Sequence, residues 1–161
     1  MALRAIVIGS GWASEGHTVG LQHAGVEVVA ICGRTLEQAQ RVARKFDVPK
    51  SLADWRQAIS NEAPDVVAVA TTAPPHREMV EAAVDAGLPV ACDKPLAMRA
   101  VDARAMHEAV AGAGLSNGYV ASHSTGALPR FVQAVVESGQ VGVVKHVEVR
   151  WYHLATPRRP F

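Results

Sequence analysis

The residues of this sequence whose types and spacing could do chemistry fall into short clusters, each at the end of an apolar run. One is Gly9-Ser10-Gly11-Trp12-Ala13-Ser14, directly after Ala5-Ile6-Val7-Ile8. Gly9 permits a tight turn, and Gly11 lets the backbone come close to a pyrophosphate. A helix opening at Trp12 and Ala13 offers that anion unpaired N–H groups and the positive end of its dipole. Ser14 stands where this fingerprint often has a third glycine. It is small enough for helix–strand packing, and its hydroxyl is available for a cap or a phosphate. A simple tight turn is the alternative reading.

A second cluster is Cys32-Gly33-Arg34-Thr35. An acid at the end of this run would hold the ribose hydroxyls of NAD, and none is present. Arg34 instead offers a planar guanidinium suited to a 2′-phosphate and to stacking on adenine. NADP is therefore favoured over NAD, with Thr35 adding a hydroxyl contact or capping the next helix. A solvated loop arginine is the competing explanation.

Two further clusters follow. Thr71-Thr72-Ala73-Pro74-Pro75-His76 combines strand-breaking prolines with a histidine. His76 is expected either near the nicotinamide or at a structural post on the helix. Asp93-Lys94-Pro95 places an acid and an amine side by side. A lysine there can hold a substrate hydroxyl and assist proton transfer, and Asp93 can bond a ribose hydroxyl. Lys94-Pro95 is a candidate cis peptide. Taken alone, Asp-Lys-Pro would read as a turn.

The elements that must position these clusters alternate. Apolar runs at Leu3 to Ile8, Val26 to Cys32, Asp65 to Ala70, Leu88 to Cys92 and Gly118 to Ala121 read as strands, with a short one near Val48. Between them lie helical stripes: Leu36, Ala39, Ala43 and Phe46; Met79, Val80, Ala83, Val84 and Gly87; Val101, Ala105 and Ala109; Leu128, Phe131, Val132, Val135 and Val136. The stripes are expected to cover the sheet. Strands alternating with helices imply a doubly wound parallel α/β sheet, with ligands at its carboxyl edge. After Gly142 the pattern changes. Lys145 to Tyr152 alternates polar and apolar, as a half-exposed strand of a different sheet would. The expected organisation is a dinucleotide-binding domain over 1–123, then a bridging helix and the first strand of a second, truncated α/β domain over 124–161.

Composition limits the function classes. The chain is 49% hydrophobic and 19% charged with a net charge of +1, which suits a globular protein and provides no basic footprint for nucleic acid or an anionic membrane. The first apolar run is too short for a signal segment or a membrane span, and a cytoplasmic location is expected. Cys32 and Cys92 have no metal-ligand spacing and read as small buried thiols.

The combination of Gly-x-Gly on the first strand, the Thr-rich loop with His76, the Ala86-Gly87 helix end, Asp93-Lys94-Pro95-Leu96-Ala97 and Glu137-Ser138-Gly139-Gln140-Val141-Gly142 resembles the Gfo/Idh/MocA oxidoreductase family along nearly the whole chain. The resemblance implies a Rossmann domain that binds NAD(P). It implies hydride transfer to or from a carbon bearing oxygen on a sugar-like or polyol substrate. It implies a catalytic or substrate-positioning role for Lys94, a cofactor ribose contact for Asp93, and a homo-oligomer built through a second domain. Some positions depart from the family pattern. Asp93 replaces the usual Glu, Thr71-Thr72-Ala73 replaces Thr-Pro-Asn, and Ala121-Ser122-His123-Ser124-Thr125 replaces aromatic and arginine residues. The family's downstream Asp/His pair is expected beyond residue 161, and His146 and His153 read as strand histidines. A non-catalytic dinucleotide-binding sensor or regulatory module is the alternative function.

Overall fold

The computed structural model describes residues 2–121, 126–150 and 152. The chain runs β1 (Arg4–Ile8), α1 (Trp12–His23), β2 (Glu27–Cys32), α2 (Leu36–Lys45), β3 (Lys50–Leu52), α3 (Trp55–Asn61), β4 (Val66–Val69), α4 (His76–Asp85), β5 (Val90–Asp93), α5 (Ala100–Gly112), β6 (Asn117–Val120) and α6 (Ala127–Glu137). It divides into two compact units, residues 1–121 and 122–161.

In the first unit a six-stranded sheet has the order β3-β2-β1-β4-β5-β6, and every pairing is parallel. The strand order reverses direction at the β1–β4 neighbours, so the crevice above their carboxyl ends is the topological switch point. Continuous apolar runs form the central strands because both faces are covered. Ile6 and Ile8 point into one cluster with Val67, Val69, Met79, Val80 and Met106, under α3, α4 and α5. Val7, Ile31, Ala68 and Ala70 point the other way, against Ala39, Val42 and Ala43 of α2 and Ala13 and Leu21 of α1. Each fully buried valine or isoleucine here stabilises the fold by about 1.5–3 kcal/mol relative to exposure.

The expected strands and stripes are largely present, with informative shifts. The short strand lies at Lys50–Leu52, just after Val48. The helix α3 was not anticipated. It starts where Asp54 accepts a hydrogen bond from the Arg56 N–H. On α2 the buried face is Ala39, Val42 and Ala43, while Leu36 is exposed. On α5 the buried residues are Met106 and Val110, and Val101 is exposed. The expected Val101-Ala105-Ala109 stripe thus lies at the margin of the packed face. A run rich in alanine defines its face weakly, and the larger Met106 and Val110 bury more area.

In the second unit α6 forms, but none of its residues is buried, contrary to the expectation for its stripe. Residues 144–150 carry no strand. The half-exposed strand expected from Lys145 onward is absent there because a strand needs a ladder partner to satisfy its N–H and C=O groups. The stretch Ser122 to Thr125, Trp151 and His153 lie outside the described residues.

Candidate functional site

Gly9 is the junction of the carboxyl edge. Its φ is +143°, and a Cβ there would lie 2.4 Å from the Ala70 main-chain oxygen at the end of β4. Its N–H donates to the Cys32 oxygen at the end of β2, at 2.7 Å. Only glycine permits this approach of three strand ends. Gly11 differs: a Cβ built on it meets nothing within 4 Å. The protein does not require a glycine there, and a close ligand would.

Gly11 is the N-cap residue of α1 and has no side-chain cap. The first intrahelical bond is Glu15 N–H to Gly11 O, so the N–H groups of Trp12, Ala13 and Ser14 have no helical partner. This donor set at a helix N-terminus fits a dinucleotide pyrophosphate. The side chain of Ser14 does not join it. Ser14 is fully buried and its hydroxyl donates to the Gly11 oxygen at 2.6 Å. Its small size serves close packing against the sheet, and its hydroxyl is turned to the first turn of its own helix. Trp12, the first residue of α1, is 86% exposed.

Helix α2 steadies the loop. Arg41 donates to the Ser10 main-chain oxygen at 2.9 Å and to Glu15 at 3.2 Å, and Lys45 bonds Glu15 at 2.6 Å. The Lys45 hydrogen bond, helped by Arg41, holds the Glu15 carboxyl below its usual range against the opposing effect of desolvation. Gly33 sits beside this loop: a Cβ on it would lie 2.9 Å from Ser10 Oγ and 3.0 Å from Ala39 N. Arg34 is exposed, with no ion-pair partner among the described residues. Thr35 caps α2 by accepting from the Gln38 N–H at 3.3 Å.

The remaining residues gather at the ends of β4 and β5. Thr71 is half-buried and Thr72 exposed. Asp93 is buried, with Oδ1 accepting from the Lys94 N–H at 2.8 Å. The Lys94-Pro95 peptide is cis, and the exposed Lys94 ammonium has no ion-pair partner among the described residues. His76 departs from its expected cofactor contact. Its ring is fully buried and both nitrogens face main-chain oxygens, Leu96 at 3.2 Å and Thr71 at 3.1 Å. The structural alternative is the one formed.

Sequence reasoning missed His17 on α1. Its Nε2 is buried without a hydrogen-bond partner. Burial pushes the imidazole pKa down, and the Asp93 charge pulls it partly back. Asp93 alternates with Val90 and Cys92 of the opposite cluster, so it emerges on the α1 side of the sheet. The available signal was the spacing Ser14 to His17, one helical turn along the packed face. Both cysteines are buried, and burial first of all pushes each thiol up to about 12. No group of His, Cys, Asp and Glu among the described residues could hold a metal ion. No helix among them is long and apolar enough to cross a membrane.

The Gfo/Idh/MocA family model, described as an oxidoreductase family with an NAD-binding Rossmann fold, matches residues 3–119. The chain belongs to this family. An inositol 2-dehydrogenase from Pseudomonas savastanoi pv. phaseolicola is 37% identical over 150 residues, covering 88% of this chain and 44% of the relative. A D-apiose dehydrogenase from Paraburkholderia graminis is 36% identical over 113 residues, covering 70% of the chain and 30% of the relative. Among solved structures, an oxidoreductase from Agrobacterium radiobacter in complex with NAD+, L-tartaric acid and magnesium aligns with a TM-score of 0.84 at 27% identity, covering 89% and 42%. The chain therefore spans less than half the length of these relatives.

Proposed function

We propose that this chain is the dinucleotide-binding part of an oxidoreductase that moves a hydride between a nicotinamide and an oxygen-bearing carbon of a sugar-like or polyol substrate. The observation that carries the reading is the α1 N-terminus. Unpaired N–H groups open at the β1–β4 switch point beside a Gly11 that no protein contact explains. Bound there, the dinucleotide would supply the hydride-exchanging carbon. The chain's own residues then have assigned tasks. Gly11, Trp12, Ala13 and Ser14 hold the pyrophosphate through main-chain N–H groups, and Gly9, whose own N–H is bonded to Cys32, shapes the turn that aims them. Asp93 accepts from a ribose hydroxyl with the oxygen that Lys94 N–H leaves free, and Thr71 and Thr72 border the same crevice. Lys94 positions a substrate hydroxyl and moves its proton. The dehydrogenase relatives support an enzyme over a non-catalytic sensor module.

NADP is the favoured cofactor. Arg34 presents an unpaired guanidinium where an NAD site would carry an acid, and Gly33 has no room for one without displacing Ser10 or α2. On the sequence grounds given above, the same reading includes a cytoplasmic location, a homo-oligomer, a small-molecule substrate, and neither nucleic acid nor membrane as a partner. Residues 124–161 would begin the substrate domain.

Calorimetric titration of the chain with NADPH and NADH is the test. Tighter binding of NADPH, with the preference falling about tenfold or more in Arg34→Ala, is expected from loss of a charge-assisted phosphate contact. Tighter NADH binding would overturn the NADP assignment alone. No binding of either would overturn the site.

A further inference from the structure

His76, the first residue of α4, joins the ends of β4 and β5 through a ring no solvent reaches. Its Nε2 faces the Thr71 main-chain oxygen at 3.1 Å. Its Nδ1 faces two groups, Cys92 Sγ at 3.3 Å and the Leu96 main-chain oxygen at 3.2 Å. An imidazole with a single N–H donates from one nitrogen and accepts at the other. Thr71 O and Leu96 O both only accept, so one nitrogen needs a donor. Cys92 is the one that faces it, and its Sγ lies nearer to Nδ1, at 3.3 Å, than to the Asp93 main-chain oxygen at 3.6 Å, the other acceptor of its single proton. Burial, with the Asp93 charge adding to it, pushes the Cys92 thiol up to about 12, so Sγ keeps its proton. Cys92 S–H to Nδ1 and Nε2–H to Thr71 O then use both ring nitrogens. The other neutral tautomer, with its proton on Nδ1, would bond the Leu96 oxygen instead and leave Nε2 against the Thr71 oxygen with no proton between them.

The chain of bonds spans the site. Thr71 begins the loop that borders the crevice after β4. Cys92 immediately precedes Asp93, whose carboxylate holds the Lys94 N–H at 2.8 Å. Thr71 and Cys92 extend from adjacent parallel strands, where Val69 pairs with Cys92 in register. The β4–β5 ladder ends at the Val69–Cys92 pair, and beyond it the His76 ring bridges the two loops.

We propose that His76 is a positioning residue which, as the Nε2–H tautomer bonded between Cys92 and Thr71, sets the separation of the Asp93-Lys94 loop from the Thr71-Thr72 loop. This rests on the dinucleotide-site reading above. His76 touches neither cofactor nor substrate and acts through Thr71 and Asp93.

The test combines ring spectroscopy with a pair of variants. Nitrogen-15 NMR of the wild-type ring is expected to show Nε2 protonated and Nδ1 accepting, with the Nδ1 signal moving in Cys92→Ala. A proton on Nδ1, or on both nitrogens, overturns the proposal. His76→Gln keeps an N–H near the Nε2 position, and His76→Leu keeps none. His76→Leu is expected to weaken NADPH binding about tenfold or more, the scale of a buried carbonyl left unbonded, and His76→Gln to restore most of it. Equal, wild-type affinity in both variants overturns the positioning role and leaves the dinucleotide site standing. If the wild-type chain binds no dinucleotide, the site reading fails, and the Lys94 main-chain amide signal decides the inference. Displacement in the Leu variant with recovery in the Gln variant supports it, and an unmoved signal overturns it. Should His76→Leu not fold, the ring tautomer and the His76→Gln variant decide the matter.

Discussion

Burial is the main influence on His17, Cys32 and Cys92, whereas Glu15 is set first by its Lys45 partner. His17 has a buried ring nitrogen with no partner, and desolvation pushes its pKa below the ordinary 6.5, with Asp93 opposing. The folded state therefore binds a proton on His17 less readily than the unfolded chain does. Stability gained from the uncharged ring is fully present above about 6.5 and is lost as pH falls through the lowered value. A thermal-unfolding series across acid pH should show a declining midpoint below about 6.5, with a shallower decline in His17→Gln. Parallel declines in the two proteins would remove His17 as a cause. The cysteines present the opposite sign of the same effect. With their thiols pushed up to about 12, Cys32 and Cys92 stay protonated and act as small apolar residues.

At the scale of elements, helix termini organise the site. The N-terminus of α1 is left without a side-chain cap, whereas α2 and α3 are capped by Thr35 and Asp54. The ends of α4, α5 and α6 also lack a side-chain cap, so what distinguishes α1 is its place at the switch point behind Gly11. Removing the Thr35 hydroxyl in Thr35→Ala should cost about 1 kcal/mol. For a chain of this size that lowers the melting temperature by roughly 3 °C, with Thr35→Ser close to wild type. An unchanged midpoint in the alanine variant would show that Gly33 and the α2 packing hold the turn without the cap. The α2 helix also reaches back to the fingerprint through Arg41 and the Ser10 carbonyl. The loop's shape is thus partly built by an element that follows it in sequence.

For the molecule as a whole, the buried hydrophobic residues all lie between Ala5 and Val110 among the described residues. The first unit therefore holds its own core, and a chain ending at Ala121 should unfold cooperatively, with a midpoint within about 3 °C of the 161-residue chain. It should also keep its dinucleotide affinity. A non-cooperative transition in circular dichroism would show that residues 122–161 complete the fold. The α6 side chains Leu128, Phe131 and Val132 are exposed.

What the sequence by itself determined is whatever depends on local pattern. Doubly buried parallel strands announce themselves as unbroken apolar runs. A Gly-x-Gly between strand and helix announces its turn, and Thr35 its cap. Lys94 and Asp93 stand out as candidates because acid, amine and proline adjoin in the chain. The tertiary structure decided whatever depends on neighbours distant in sequence. His76 looks like a ligand-facing loop histidine until Leu96 and Cys92, 20 and 16 residues on, are brought against its ring. His17 has no visible role until α1 crosses the sheet toward Asp93. The buried face of α5 was misplaced because alanines set a helix's orientation weakly, and the sheet chose Met106 and Val110. The strand expected after Gly142 shows the limit most plainly. Its alternation states a preference, and only a paired neighbour turns that preference into a ladder.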